Sequence, residues 1–284
     1  MLEEFEKYIE GKSDNTIRTY LQRVEKFLNW LNERYGETDP AAITTLDVKK
    51  YQEHLTKEKS PATVSQYMFA IRKYCEFLNE KGYLQKDVSK EVKVKKHRKT
   101  TAPKVLDRNE FNRFRREVEK GNNPLHIAII ETLIATGMRV NELTSLTLDD
   151  IQLSERKGTV KIRDGKGNVS RTIPLNNDAR KALLNYLVQR KETENNQLFV
   201  GQRGSMTDDG IRKLINRYAN KAGISKKVTP HMFRHQLATE LIRNKKKDLV
   251  LVKDILGHAN INTLYVYSQS TEEEQAEALE NLYE

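Results

Sequence analysis

Several polar residues in the second half of the chain stand where apolar neighbours fix their positions. Arg139 follows Gly137 at the mouth of a turn in 135-ATGMRVNELTSL-146. His231 and Arg234 are three apart in 229-TPHMFRHQLAT-239, a spacing that puts both on one face of a helix. Two arginines and a histidine suit a phosphate group. A guanidinium fork binds non-bridging oxygens bidentately and stays charged at any working pH, which lysine and histidine do not guarantee. Lys166 sits between Gly165 and Gly167 at a hairpin tip. On that motif alone it reads as a solvated turn lysine before a finger into an active site. The stretch 258-HANINTLYVYSQ-269 adds His258 and two tyrosines, Tyr265 and Tyr267. A phenol can attack phosphorus and form a covalent phosphotyrosine where fixed cations meet the developing charge. Arg139, Arg234 and His258 could supply that charge without a metal. On a helix two residues is a rotation of about 200°, so at most one tyrosine faces the substrate, and helical geometry leaves open which.

These residues need elements to hold them, and the chain is patterned mainly for helices. In 13-SDNTIRTYLQRVEKFLNWLNERYG-36, Ile17, Tyr20, Leu21, Val24, Phe27, Leu28 and Leu31 recur at spacings of three and four, with Ser13 or Asp14 as the cap and Gly36 at the end. The stretch 60–83 repeats the plan, with Ser60 as cap, Pro61 at the first helical position and a stripe from Val64 to Leu78. Both open S-x-x-T-x-x-x-Y, and a shorter helix is expected near 46–56 between them, giving a bundle of four helices at most. Residues 93–104 form an exposed basic linker that includes Lys95, Lys96, His97 and Arg98 and ends Ala-Pro-Lys. Helices resume near 107. Residues 124–146 read as a buried helix, a turn at Gly137 and a second helix, while 159–164 and 169–175 are two short strands around the glycine-bearing turn GKGN. Helices return from 178 onward. The fold class is mainly α, with one small antiparallel β element in the second domain. The expected domains are residues 1–92 and 105–284, joined by the linker 93–104.

Composition bounds the partners. The chain has 284 residues, one cysteine and a formal charge of +10. Residues 1–100 carry a net +4 and residues 101–270 a net +12, while the last fourteen residues hold six acids and no base. A basic body with an acidic tail points to a polyanion for the body and to a protein contact for the tail. The single cysteine, Cys75, lies in an apolar helical stripe and rules out an intrachain disulfide or a thiolate zinc cluster. The acidic, amphipathic N-terminus and the lack of a long apolar run argue against a secretory signal or a membrane span, so a cytoplasmic, nucleoid-associated protein is expected. The pairs Asp149–Asp150 and Asp208–Asp209 lack the ligand spacing of a metal site and read as helix-boundary residues, so no metal, cofactor or small-molecule ligand is expected. His54, His97 and His126, taken singly, read as structural or solvated.

Four ordered boxes, ATGMRVNEL, GKGNVSRTIPL, HMFRHQLAT and LGHANINTLYVYSQ, resemble those of the tyrosine recombinases, or phage-type integrases, and among them the small Xer-like or transposon-encoded resolvases. The first hundred residues are similar to the family's SAM-like core-binding bundle, so the resemblance covers nearly the whole chain. It implies that Arg139 and Arg234 clamp the scissile phosphate, His258 donates a further hydrogen bond, Lys166 protonates the 5′-hydroxyl leaving group and His231 assists proton transfer at the phenol. Glu142 braces the site, and His235 lies behind Arg234. The family spaces its terminal histidine and nucleophile nine apart, which selects Tyr267. The implied activity is site-specific recombination of double-stranded DNA through a 3′-phosphotyrosine bond and a Holliday junction. A nicking-closing topoisomerase of the same chemistry, a metal-dependent nuclease and a non-catalytic DNA-binding protein are the alternatives. The resemblance also implies a homotetramer on DNA in which residues 271–284, with Ala276, Leu279 and Leu282 on one face, dock as a helix on a neighbour. Expected DNA contacts are Lys95, Lys96 and Arg98 in the linker, Arg72 and Lys73 on the helix 60–82, and Arg212, Lys213 and Arg217 on a helix 208–222. With no arm-binding domain before residue 1, a simple Xer-like or transposon-encoded enzyme is expected rather than a large phage integrase.

Overall fold

A computed structural model describes residues 1–36, 39–94, 105–163, 170–192 and 196–257. By internal contacts the chain divides into two compact units, Met1–Lys99 and Thr100–Glu284. Lys166, His258, Tyr265, Tyr267, Lys95, Lys96, His97, Arg98 and the tail 271–284 lie outside the described residues.

The first unit packs α1 (Leu2–Tyr8), α2 (Asp14–Tyr35), α3 (Thr45–Glu58) and α4 (Pro61–Glu80) around one core. The start signals act as their chemistry dictates. Ser60 caps α4 by accepting from the Thr63 N–H, with Pro61 in the first turn where no donor is needed. Thr44 and Asp47 form a reciprocal capping box on α3. The α2 stripe delivers Val24, Phe27, Trp30 and Leu31 to the interior, and α4 adds Met68, Ile71, Tyr74, Phe77 and Leu78. Each such burial is worth about 1.5–3 kcal/mol before chain entropy. Cys75 is fully buried in this core, which pushes its thiol up to about 12. α1, which the helical stripes of the sequence did not single out, seats Phe5 edge-on against Tyr74.

The second unit begins with α5 (Arg108–Lys120), capped by an Asp107–Glu110 box, and α6 (Pro124–Thr136), capped by Asn123. Then come α7 (Val140–Thr144), β1 (Ile151–Leu153), β2 (Gly158–Ile162), β3 (Arg171–Pro174), α8 (Asn177–Gln189), β4 (Val200–Gly201), β5 (Gly204–Ser205), α9 (Asp208–Lys221), α10 (Pro230–Thr239) and α11 (Leu249–Leu256). The strands β1, β2 and β3 form an antiparallel sheet in chain order, with Val160 opposite both Ile151 and Ile173. The pattern of two strands around GKGN missed β1, which is three residues long, and the two-residue pair β4–β5. A core from Phe114 and Ile129 through Val160 and Leu183 to Ile215 and Phe233 fills the unit. Its buried carboxylate at Glu131 is paired. Glu131, 5 % exposed, takes a two-pronged bond from Arg115, which also reaches Asp178, so α5, α6 and α8 are tied by one guanidinium.

Candidate active site

Gly137 makes the site possible. It ends α6 with φ at +58°, a left-handed conformation that glycine adopts at little cost, and its amide donates to the Leu133 carbonyl at 2.9 Å. A Cβ there would lie 2.8 Å from Leu256 Cδ2 and 3.0 Å from Leu237 Cδ2, so α10 and α11 close directly onto the turn. The Gly137 carbonyl accepts from Arg234 Nη1 at 2.8 Å. The turn that launches Arg139 is therefore the point at which Arg234 is anchored.

Arg139 occupies the cap position of α7, and its backbone N–H donates to Glu142 Oε2 at 2.8 Å while its Nη1 donates to Glu142 Oε1 at 2.8 Å. Glu142 also takes a two-pronged contact from Arg171, Nη2 to Oε2 at 2.9 Å and Nη1 to Oε1 at 3.3 Å. Burial pushes the Glu142 carboxyl up. The bonds from Arg171 and Arg139 more than offset that and hold it below the ordinary glutamate value, so it is anionic at neutral pH. A buried anion shared by two arginines fixes the plane of the Arg139 fork.

Arg234 is 4 % exposed, on the buried side of α10. His231, one turn earlier, is exposed on the rim of a groove that α9 also lines. The partial burial of that ring, then the charges of Arg234, Arg139 and Arg212, hold its pKa below the ordinary histidine value. It is a neutral imidazole able to accept a proton at pH 7. His235 is half-buried on the same helix, with its carbonyl accepting from Thr239 Oγ1 at 2.9 Å. Helix α10 then runs into a π turn over Glu240–Asn244, closed by the Lys245 N–H on the Glu240 carbonyl at 2.9 Å. Nothing in the sequence pattern signals that widened turn.

Arg163 and Arg171, the arginines on either side of residues 164–169 in the sequence, each pair with a buried carboxylate. Arg163, after β2, pairs with Asp150, which also accepts from the Thr147 N–H and hydroxyl. Arg171, opening β3, makes the contacts above. Asp150 closes a 3-10 turn, and Asp208 lies in the first turn of α9. Among the described residues no group of three or more His, Cys, Asp or Glu is placed to hold a metal ion.

The expected DNA contacts separate into two sets. Arg212, Lys213 and Arg217 project into solvent from α9 and line a groove with Asn216, Lys227 and His231. By contrast Arg72 and Lys73, read from the sequence as DNA contacts on an exposed helix face, are half-buried. The Arg72 guanidinium donates to the Val92 carbonyl, and Lys73 pairs with Glu76 at 2.9 Å and lies over the Tyr8 ring. The α4 stripe is so wide that these positions fall on its flank and tie down the end of the bundle.

Sequence reasoning passed over Arg171. The signal was present: strand alternation puts Arg171 on the inward face with Ile173, and a cation on a core-facing position requires a partner.

This geometry agrees with what the chain is similar to. Residues 104–274 match the model of the phage integrase family, and residues 2–82 match that of the phage integrase N-terminal SAM-like domain. The tyrosine recombinase XerD of Listeria innocua is 32% identical over 272 residues, covering 92% of this chain and 90% of that protein. XerD of Oceanobacillus iheyensis is 34% identical over 273 residues, covering 92% and 89%. Among solved structures, the XerH site-specific recombinase bound to its difH substrate in a pre-cleavage complex superimposes with a TM-score of 0.76 at 25% identity, over 99% of this chain and 84% of that one. The Tn1549 transposon integrase in complex with a circular intermediate DNA shares the fold, with a TM-score of 0.77 at 19% identity over 99% and 98%. Two arginines tied to one glycine turn, on a helical scaffold with a small sheet, and relatives matched along nearly their whole length lead to one conclusion: the chain belongs to the phage integrase family and is a tyrosine site-specific recombinase.

Proposed function

We propose that this recombinase cleaves double-stranded DNA by attack of the Tyr267 phenol on a phosphate held between Arg139 and Arg234, leaving a 3′-phosphotyrosine and a free 5′-hydroxyl. The observation that carries the reading is the shared anchoring of both arginines at the Gly137 turn, with Glu142 fixing one fork and the Gly137 carbonyl the other. Positive charge fixed in place before reaction is what a pentacovalent phosphorus centre requires, and it is supplied here by the chain itself. His231, neutral at pH 7, accepts the phenolic proton. Lys166 protonates the departing 5′-oxygen and His258 donates to a non-bridging oxygen. The phosphotyrosine conserves the energy of the broken phosphodiester, so the ends can be rejoined to a partner strand without ATP. Two successive exchanges then pass through a Holliday junction.

The basic groove beside His231, with Arg212, Lys213, Arg217 and Lys227, supports a duplex contact in which phosphates set position and a few side chains reach base edges. The unit 1–92 and the catalytic unit would grip one half-site, with residues 93–104 tracking the backbone between them. Two half-sites on each of two DNAs require four protomers, and the acidic segment 271–284 is the one that would join neighbours. The XerH relative is bound to a difH substrate, and a defined recombination site of that general kind is the substrate class proposed here. Action on such DNA places the protein at the nucleoid. With a plasmid carrying two copies of the cognate site, recombination should proceed undiminished in EDTA, and Arg139→Ala or Arg234→Ala should each lower cleavage by about 10²–10³ while leaving half-site binding in place. Cleavage that stops on chelation would point to a metal-dependent nuclease, and relaxation without exchange to a nicking-closing enzyme.

A further inference from the structure

Arg171 sits where three parts of the site meet. Its guanidinium forks onto Glu142, the carboxylate that orients Arg139. Its Nε donates to the Ile255 carbonyl at 3.1 Å, in the last turn of α11. Its guanidinium fills the space beside Gly257, where a Cβ would come within 2.6 Å of Cζ, and that glycine ends α11 with φ at +64°. Its own backbone opens β3, the strand that follows the Lys166 segment. The side chain is 8 % exposed and its Glu142 partner 7 %.

An ion pair this deeply buried is a poor device for stability, because well-packed apolar residues of the same volume commonly serve as well or better. What it gives instead is direction. A planar fork with all its nitrogens committed can hold a carboxylate and a carbonyl at fixed angles, which neither an apolar side chain nor an ammonium can do. Resting on the recombinase reading, we propose that Arg171 is a positioning residue that locks the Arg139 turn, the start of β3 and the C-terminal end of α11 into one register. It touches no reacting atom. If it is lost, Glu142 keeps only its bonds from Arg139, the Arg139 fork loses the brace behind its carboxylate, and the last turn of α11 loses its side-chain tie to β3.

The test uses the full chain, a nicked suicide half-site and single-turnover formation of the covalent adduct at saturating protein, well below the melting temperature. Arg171→Gln and Arg171→Lys should bind the half-site within about threefold of wild type and form adduct about 100-fold more slowly, the scale expected when a catalytic group is misplaced by an ångström. Lysine should not rescue, since it keeps the charge and loses the fork. Arg171→Gln combined with Glu142→Gln should be no slower than the worse single variant, because both break one unit. If Arg171→Gln does not fold, Arg171→Lys alone decides. A wild type that forms no adduct overturns the recombinase reading and this proposal with it. A wild type that forms adduct beside Arg171 variants of equal rate, or variants whose defects with Glu142→Gln simply multiply, overturns the positioning role alone.

Discussion

At the scale of single residues the site is a problem in holding like charges together. Arg139, Arg234 and Arg212 act on the His231 imidazole and Arg139 and Arg171 on the Glu142 carboxylate, and the two groups respond to different forces. Glu142 is held below its ordinary pKa and His231 is too, the first because its charged form is favoured and the second because its charged form is opposed. The His231 shift has a consequence for activity. Protonation removes the base, so cleavage should fall as pH drops through the folded pKa, and that acid limb should lie below pH 6.5 rather than at it. Arg212→Gln, which removes one flanking cation, should move the limb upward. A wild-type limb at or above 6.5, traced by single-turnover cleavage against pH, would contradict the account. The motif residues were legible because each sits in a local context that names it: a glycine before Arg139, a three-residue step from His231 to Arg234. For Arg171 strand alternation signalled only an inward-facing cation, and its partners were not legible because they lie 29 and 84 residues away, outside any local window.

Elements show the same divide between local and distant causes. Helix starts were readable to within a residue or two where a capping side chain and a proline coincide, as at Ser60–Pro61 and Asn123–Pro124. The strand β1 was not, since three residues carry no alternation to detect, and it exists because β2 offers it an edge. Nor was the π turn at Glu240–Asn244, which stands between α10 and α11. Arg72 and Lys73 show the limit of reading exposure from a stripe, since polar residues on the flank of α4 found partners within the bundle. Gly137 is the element-scale pivot. Gly137→Ala meets both a left-handed backbone and two leucine methyls at 3.0 Å or less. It should cost about 2 kcal/mol or more in stability, measured by chemical denaturation, and should slow cleavage beyond what that loss explains. A fully active Gly137→Ala variant would mean that α10 and α11 do not depend on the close approach.

For the whole molecule, the basic run at 93–99 marks in the sequence the passage from a helical bundle to a larger unit, and the two family models match on either side of it. Among the described residues no helix is long and apolar enough to cross a membrane. Charge sorting bears on the proposed assembly, in which the basic body meets DNA and the acidic segment 271–284 meets a neighbouring protomer. Removal of residues 271–284 should therefore leave half-site binding intact and abolish cooperative synapsis, as read by gel shift and by pairing of two sites; unchanged recombination would remove the tail from the assembly. The chemistry at the centre of the account can be read from one experiment on the full chain. A nicked suicide substrate incubated in EDTA with wild type, Tyr267→Phe and Tyr265→Phe should give a covalent protein–DNA adduct with wild type and with Tyr265→Phe, and none with Tyr267→Phe. Adduct retained by Tyr267→Phe and lost by Tyr265→Phe, or adduct formed by none of the three, would contradict it.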